Sequence, residues 1–220
     1  MELLTKASYS GEISEREKRN LEVAYRAACE SMVLLKNDGV LPLKTQRIAL
    51  YGAGVTKTIK GGTGSGEVNE RHSVTILEGT ENRGFEVATK QWLADYEADY
   101  AAGEMAHKKA QRDIVKLLKS KSFMEMMLKG YTPPAGRAIT QQDVADSDTD
   151  TAIYVLSRQA GEGGDRKAEK GDLFLTDEER AAIETCVANY KKFVCFGSFA
   201  LGDFFVFLDC IFSPLPAVIF

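Results

Sequence analysis

"TAIYVLSRQAGEGGDRKAEKGDLFLTDEE", residues 151–179, is the stretch that decides the fold. It opens with an apolar run of strand character (151–157) and passes into glycines and mixed charge. Thr176, three residues ahead of Glu179, then predicts a helix start through a capping box. Beyond it Ala182, Ile183, Cys186, Val187 and Tyr190 recur as the apolar face of that helix. Glycine makes a poor strand or helix interior. Gly161, Gly163 and Gly164 around Glu162 therefore mark a tight turn, or a backbone that must approach something closely. Either the glutamate is incidental to the turn, or the turn exists to carry it.

The same order appears upstream. "RIALYGAG" (47–54) reads as a short buried strand running into glycines, followed by the long glycine-rich loop "KGGTGSGEVNERHS" (60–73). "VTILEGTENRG" (74–84) reads as a helix that Gly84 can terminate, and "FEVAT" (85–89) as a further strand. Ahead of these, Ser14 with Glu17 forms a capping box. Leu21, Ala24, Ala28, Met32 and Leu35 then predict an amphipathic helix over 15–36, stopped by "NDGVLPL". Residues 90–129 are charged and helical in pattern, and 130–148, with a Pro-Pro pair, read as a surface connection with one short helix. Strands alternating with helices imply an α/β fold, a mainly parallel sheet sandwiched between helices, in which ligands sit outside the carboxyl ends of the strands. If the strands are parallel, the two glycine-rich loops share one edge.

Composition narrows the function classes. The 220 residues are 44% hydrophobic and 27% charged, ordinary globular material, and a net charge of −4 without a basic stripe argues against nucleic acid. "MELLTKASYS" has neither a basic n-region nor an apolar h-region, so a cytoplasmic location is expected. Cys29, Cys186, Cys195 and Cys210 are scattered, and His72 and His107 have no neighbours at ligand spacing. Four reduced thiols packed as small hydrophobes, two surface histidines, and neither metal nor cofactor are the expectation.

The loops by themselves suit a nucleotide as well as a sugar. "GAGVTK" begins like a dinucleotide fingerprint, but Lys57 stands where the third glycine belongs. "GGTGSGE" could cradle a phosphate but lacks the Gly-Lys-Ser/Thr ending of a P-loop. Glycine turns shaped only by packing are the plain alternative.

Three blocks in order, "ESMVLLKNDGVLPLK" (30–44), "KTIKGGTGSGEVN" (57–69) and "SRQAGEGGDRKAEKGDLFLTDEE" (157–179), closely resemble the α/β sandwich domain of glycoside hydrolase family 3, the β-glucosidase and β-xylosidase group. The likeness runs from about residue 20 to 192 and is thinnest between 90 and 140. The resemblance implies a six-stranded sheet between helices and a separate (β/α)8 barrel carrying an aspartate nucleophile. It also implies a general acid/base glutamate on a sandwich loop, a position occupied here by Glu162. A retaining glycosidase needs two carboxyl groups about 5 to 5.5 Å apart, one the nucleophile and one the acid/base. With the two on different domains, the acid must reach across a cleft, and the glycines beside Glu162 would allow the backbone angles this requires. Arg158, Asp165 and Arg166 are expected to position the loop, while Ser65, with Gly64 and Thr63, would border the sugar.

The implied partners are a β-linked glucoside or oligosaccharide and the barrel, with no nucleic acid and no membrane. A rival reading is a non-catalytic module binding carbohydrate or nucleotide. The barrel is absent from these 220 residues, which resembles the front piece of a family member with the sandwich ahead of the barrel, inactive alone. Residues 1–192 are assigned to the sandwich. The remainder (193–220) holds eight of the eleven phenylalanines and no Lys, Arg or Glu, and is read as a truncated or altered end, or else a buried strand pair. Interrupted by Asp203 and Asp209, it lacks the roughly 20 clean apolar residues of a spanning helix.

Overall fold

The structure, a computed structural model, describes residues 11–61, 71–115, 131–159, 167–199 and 217–219. The chain divides into two compact units, Met1–Val33 and Leu34–Phe220. The first holds helix α1 (Glu15–Ser31), started by the expected capping box in which the Ser14 hydroxyl accepts from the Glu17 amide and the Glu17 carboxylate accepts from the Ser14 amide. The helix stops at Ser31, not at residue 36 as its apolar spacing predicts. Leu34–Asn37 instead form strand β1, whose backbone groups find partners on a segment some 180 residues later in the chain. Cys29 lies exposed on α1, which buries none of its residues, so its thiol is not packed as a small hydrophobe.

The second unit is built on a six-stranded sheet. Its strands are β1, β2 (Arg47–Tyr51), β3 (Glu86–Val87), β4 (Thr151–Arg158), β5 (Lys192–Phe199) and β6 (Ala217–Ile219). In space they run β1-β6-β5-β4-β2-β3. All neighbours are parallel except β1, which joins β6 antiparallel at the margin. Between strands lie helices α2 (Ile76–Asn82), α3 (Lys90–Val115), α4 (Gln141–Ser147) and α5 (Asp177–Asn189). This is the α/β class that the alternating pattern predicts. The division placed at residue 192 falls on the first residue of β5, whose Phe193, Val194 and Cys195 are buried.

Local chemistry sets the element ends. Thr75, Thr140 and Thr176 cap α2, α4 and α5, each hydroxyl accepting from the amide three residues on. Gly84 ends α2 with φ +83°, its N–H donating to the Glu81 carbonyl. Strand β3 is only two residues long, and the Thr89 side chain extends its role. The Thr89 hydroxyl accepts from the Leu50 amide at 2.9 Å and donates to the Leu50 carbonyl at 2.7 Å, satisfying buried backbone groups on β2.

The core forms where β2, β4 and β5 meet the helices. Ile48, Leu50, Val155 and Leu156 are buried with Trp92 and Tyr96 of α3 and Ile183 and Cys186 of α5. Tyr51 meets Trp92 edge-on at 5.4 Å between centroids and shares its hydroxyl with Tyr190 at 2.9 Å, which in turn meets Ser147 Oγ at 3.1 Å. Residues 131–140 are fastened by Arg137, which forks onto both oxygens of Asp143 at 2.7 Å and reaches Asp95 at 2.8 Å.

Candidate functional site

The chain order reverses between β2 and β4. From β2 the chain moves outward to β3, then returns to lay β4 on the opposite side of β2. In a doubly wound sheet such a switch point opens a crevice at the carboxyl ends of the two strands. Both glycine-rich loops leave from those ends, as the parallel pairing of β2 with β4 requires.

The stems of the two loops are joined there. Gly52 leaves β2 with φ +101°, pressed so closely on β4 that a Cβ would lie 2.3 Å from the Val155 carbonyl oxygen. The Gly54 N–H donates to that same oxygen at 3.3 Å. Thr58 Oγ1 donates to the Gly54 carbonyl at 2.8 Å and accepts from the Ile76 amide at 2.9 Å, bringing the start of α2 to the turn. Further along, the Ile59 carbonyl accepts from Ser198 Oγ at 3.4 Å and the Gly61 carbonyl from Gln159 Nε2 at 3.3 Å. The exits of β2, β4 and β5 are thereby tied at one edge. Gly52 and Gly54 are required by packing on β4. Lys57, which breaks the dinucleotide pattern, pairs with Glu97 at 3.7 Å and stands 4.7 Å from the centre of the Tyr100 ring.

Arg158 is the last residue of β4 and is buried. Its Nη1 and Nη2 donate to the two oxygens of Glu179 at 2.6 and 2.5 Å, a bidentate pair with both side chains under a tenth exposed. Nε donates to the Asp172 carbonyl at 2.9 Å, Nη1 also to the Ser157 carbonyl at 2.8 Å, and Nη2 to the Phe174 carbonyl at 3.4 Å. Glu179 serves twice, since its Oε2 also accepts the Thr176 amide at 2.8 Å in the capping box of α5. Removing one partner of such a buried pair leaves the other charge uncompensated, at a cost of about 3–5 kcal/mol. Burial first, then the neighbouring Glu179 carboxylate, pushes the Tyr154 hydroxyl well above its ordinary range. Burial likewise raises the Cys186 thiol to about 12 and holds Cys195 up, leaving both as unreactive packing groups.

Of the residues singled out from the sequence, Arg158 is placed as described. Thr63, Gly64, Ser65, Glu162, Asp165 and Arg166 lie outside the described residues. Sequence reasoning passed over Asp172, Gln159 and Ser198, and saw Glu179 only as a cap. The usable signal for Glu179 is an arginine just past the predicted strand 151–157, ahead of the capping glutamate. Among the described residues no cluster of three or more His, Cys, Asp and Glu is placed to hold a metal ion, and no helix is long and apolar enough to cross a membrane. His72 pairs with Glu78 at the surface, and the half-buried His107 lies against the Tyr131 ring.

Comparison with known proteins extends this geometry. Residues 32–198 match the family model of the glycosyl hydrolase family 3 C-terminal domain. Among curated proteins the chain is 28% identical to Beta-glucosidase A of Butyrivibrio fibrisolvens, over 84% of this chain and 23% of that protein. It is 29% identical to a Beta-glucosidase of Ruminococcus albus, over 79% of this chain and 17% of that protein. The chain thus spans less than a quarter of either relative. Among solved structures, beta-glucosidase 3B of Thermotoga neapolitana in complex with alpha-D-glucose superposes with a TM-score of 0.67 at 28% identity, covering 94% of this chain and 27% of that one. A beta-glucosidase of Paenibacillus barengoltzii shares the fold at a TM-score of 0.65 and 24% identity, covering 90% and 21%. A mainly parallel sheet with a switch point between β2 and β4, in a chain matched over most of its length by one family model, places this chain in glycosyl hydrolase family 3, with residues 32–198 as the C-terminal domain of that family.

Proposed function

We propose that this chain is the sandwich domain of a retaining β-glycosidase of β-glucosidase type, and that Glu162 is its general acid/base. What carries the reading is the parallel adjacency of β2 and β4, whose carboxyl ends meet at a switch point and each precede one of the two glycine-rich segments in the chain. The named relatives and solved structures, all beta-glucosidases, support a glycoside substrate. In the first step Glu162 gives its proton to the glycosidic oxygen while an aspartate of a partner (β/α)8 barrel bonds to the anomeric carbon and the aglycone leaves. In the second, the Glu162 carboxylate takes a proton from water as that water's oxygen displaces the aspartate, returning both carboxyl groups to their starting states. Ser65, Gly64 and Thr63 border the sugar in this account, and Arg158, Asp165 and Arg166 position the loop. Because the nucleophile in this account belongs to the barrel, the 220 residues by themselves should hydrolyse nothing. The test is a graft of residues 32–198 into Beta-glucosidase A of Butyrivibrio fibrisolvens in place of the matching segment. The graft should release aryl alcohol from aryl β-glucosides while the 220-residue chain releases none. Turnover by the isolated chain, or a folded, glucose-binding graft without turnover, would overturn the proposal.

A further inference from the structure

We infer that Glu179, acting through Arg158, and Asp172 are positioning residues for the Glu162 carboxyl, forming a brace across the two ends of the segment that carries it. The inference rests on the reading of Glu162 as the acid/base. The segment leaves the sheet at Arg158 and is described again from Lys167. Asp172 touches both ends. Its carbonyl accepts from Arg158 Nε at 2.9 Å, and its carboxylate accepts the Lys167 amide at 2.8 Å. Arg158 also holds the Phe174 carbonyl, at 3.4 Å, and Lys167 is fixed from its other side where its carbonyl accepts the Leu173 amide at 3.2 Å. The guanidinium itself is oriented by Glu179, whose carboxylate is held in turn by the Thr176 amide at the start of α5.

The donor arrangement explains why this is a brace and not merely a buried charge pair. A guanidinium offers five N–H groups in a fixed fork, and here they divide among the strand end, the helix start and the returning segment. A lysine ammonium supplies three donors from a single point and cannot span the same acceptors. The strand end and the return point are therefore set relative to α5, which packs on the core through Ala182, Ile183 and Cys186. A carboxyl that must meet a second carboxyl on another domain at about 5 to 5.5 Å needs both ends of its carrier defined.

The experiment uses the 220-residue chain and two variants, Arg158→Lys and Asp172→Ala. Amide hydrogen exchange is followed together with the Glu162 side-chain carboxyl carbon resonance, assigned by its loss in Glu162→Gln. In Arg158→Lys the amides of Lys167, Leu173 and Phe174 should exchange at least tenfold faster while that of Val155 is unchanged, and the Glu162 resonance should move. In Asp172→Ala the Lys167 amide accelerates and the resonance again moves. If Arg158→Lys does not fold, Asp172→Ala decides alone. Uniform acceleration of all amides, or an unmoved Glu162 resonance, overturns the brace. Failure of the acid/base reading is seen separately, as a grafted enzyme whose turnover survives Glu162→Gln.

Discussion

Replacing Gly52 by alanine should unfold much of the domain's stability margin, for two separable reasons. The first is conformational. Gly52 has φ +101°, and an L side chain in this region costs about 1–2 kcal/mol. The second is steric. The new Cβ would lie 2.3, 2.8 and 2.9 Å from the carbonyl oxygen, amide nitrogen and carbonyl carbon of Val155. These are backbone atoms in the middle of β4, so relief requires parting β2 from β4, and overpacking of this kind costs a further 1–3 kcal/mol or so. The sum, about 2–5 kcal/mol, compares with a total stability of roughly 5–15 kcal/mol for a typical domain. Gly39→Ala is the matched control, because Gly39 has φ +87° but nothing within 4 Å of its added Cβ, leaving only the first cost. Urea denaturation of both variants reads the difference. With a slope of about 2 kcal/mol per molar, Gly52→Ala should lower the midpoint about 1 M further than Gly39→Ala. Equal midpoints would refute the contact with β4 as the reason for glycine at residue 52.

Thr89→Val keeps shape but removes the hydroxyl that serves both backbone groups of Leu50, and a loss of about 1–3 kcal/mol is expected in the same denaturation assay. Arg137 holds the Asp143 carboxyl down to about 2, against an unfolded value of about 3.9, so this pair stabilises the fold above pH 4 and fades as pH falls toward 2. Arg137→Ala should then cost about 1–3 kcal/mol at pH 7, with the gap to the parent narrowing by pH 2.5 in parallel urea titrations. Ending the chain after Lys191 removes β5, which pairs with β4 along eight residues, and circular dichroism should show loss of the native fold rather than a better-behaved domain.

Much of this was legible because it is local. The capping boxes at Ser14 and Thr176, the apolar runs of β2 and β4 and the stop at Gly84 are each set by residues within a few positions of one another. What escaped was nonlocal. Met32 to Leu35 continue the helical spacing of α1, and only the backbone of β6, far along the chain, makes a strand of Leu34–Asn37. The apolar stretch after residue 192 carries too little alternation to announce a strand, because β5 is flanked on both edges by other strands and its residues are buried without regard to period. At the end of β4, Glu179 advertised itself as a cap, yet its second duty on Arg158 depends on how α5 packs beside that strand end.

The central claim, that Glu162 works as the acid/base of a retaining enzyme, is tested most directly by azide. In the grafted enzyme, Glu162→Gln should lower the hydrolysis of glucosides with poor leaving groups by about 10²–10⁴-fold, the usual contribution of a positioned acid or base. An activated substrate such as 2,4-dinitrophenyl β-glucoside needs no acid for departure of its aglycone, and azide needs no base to attack. Azide should therefore restore turnover of the variant and yield β-glucosyl azide, with the anomeric configuration retained. Unchanged hydrolysis in Glu162→Gln, or an azide adduct of inverted configuration, would contradict the account.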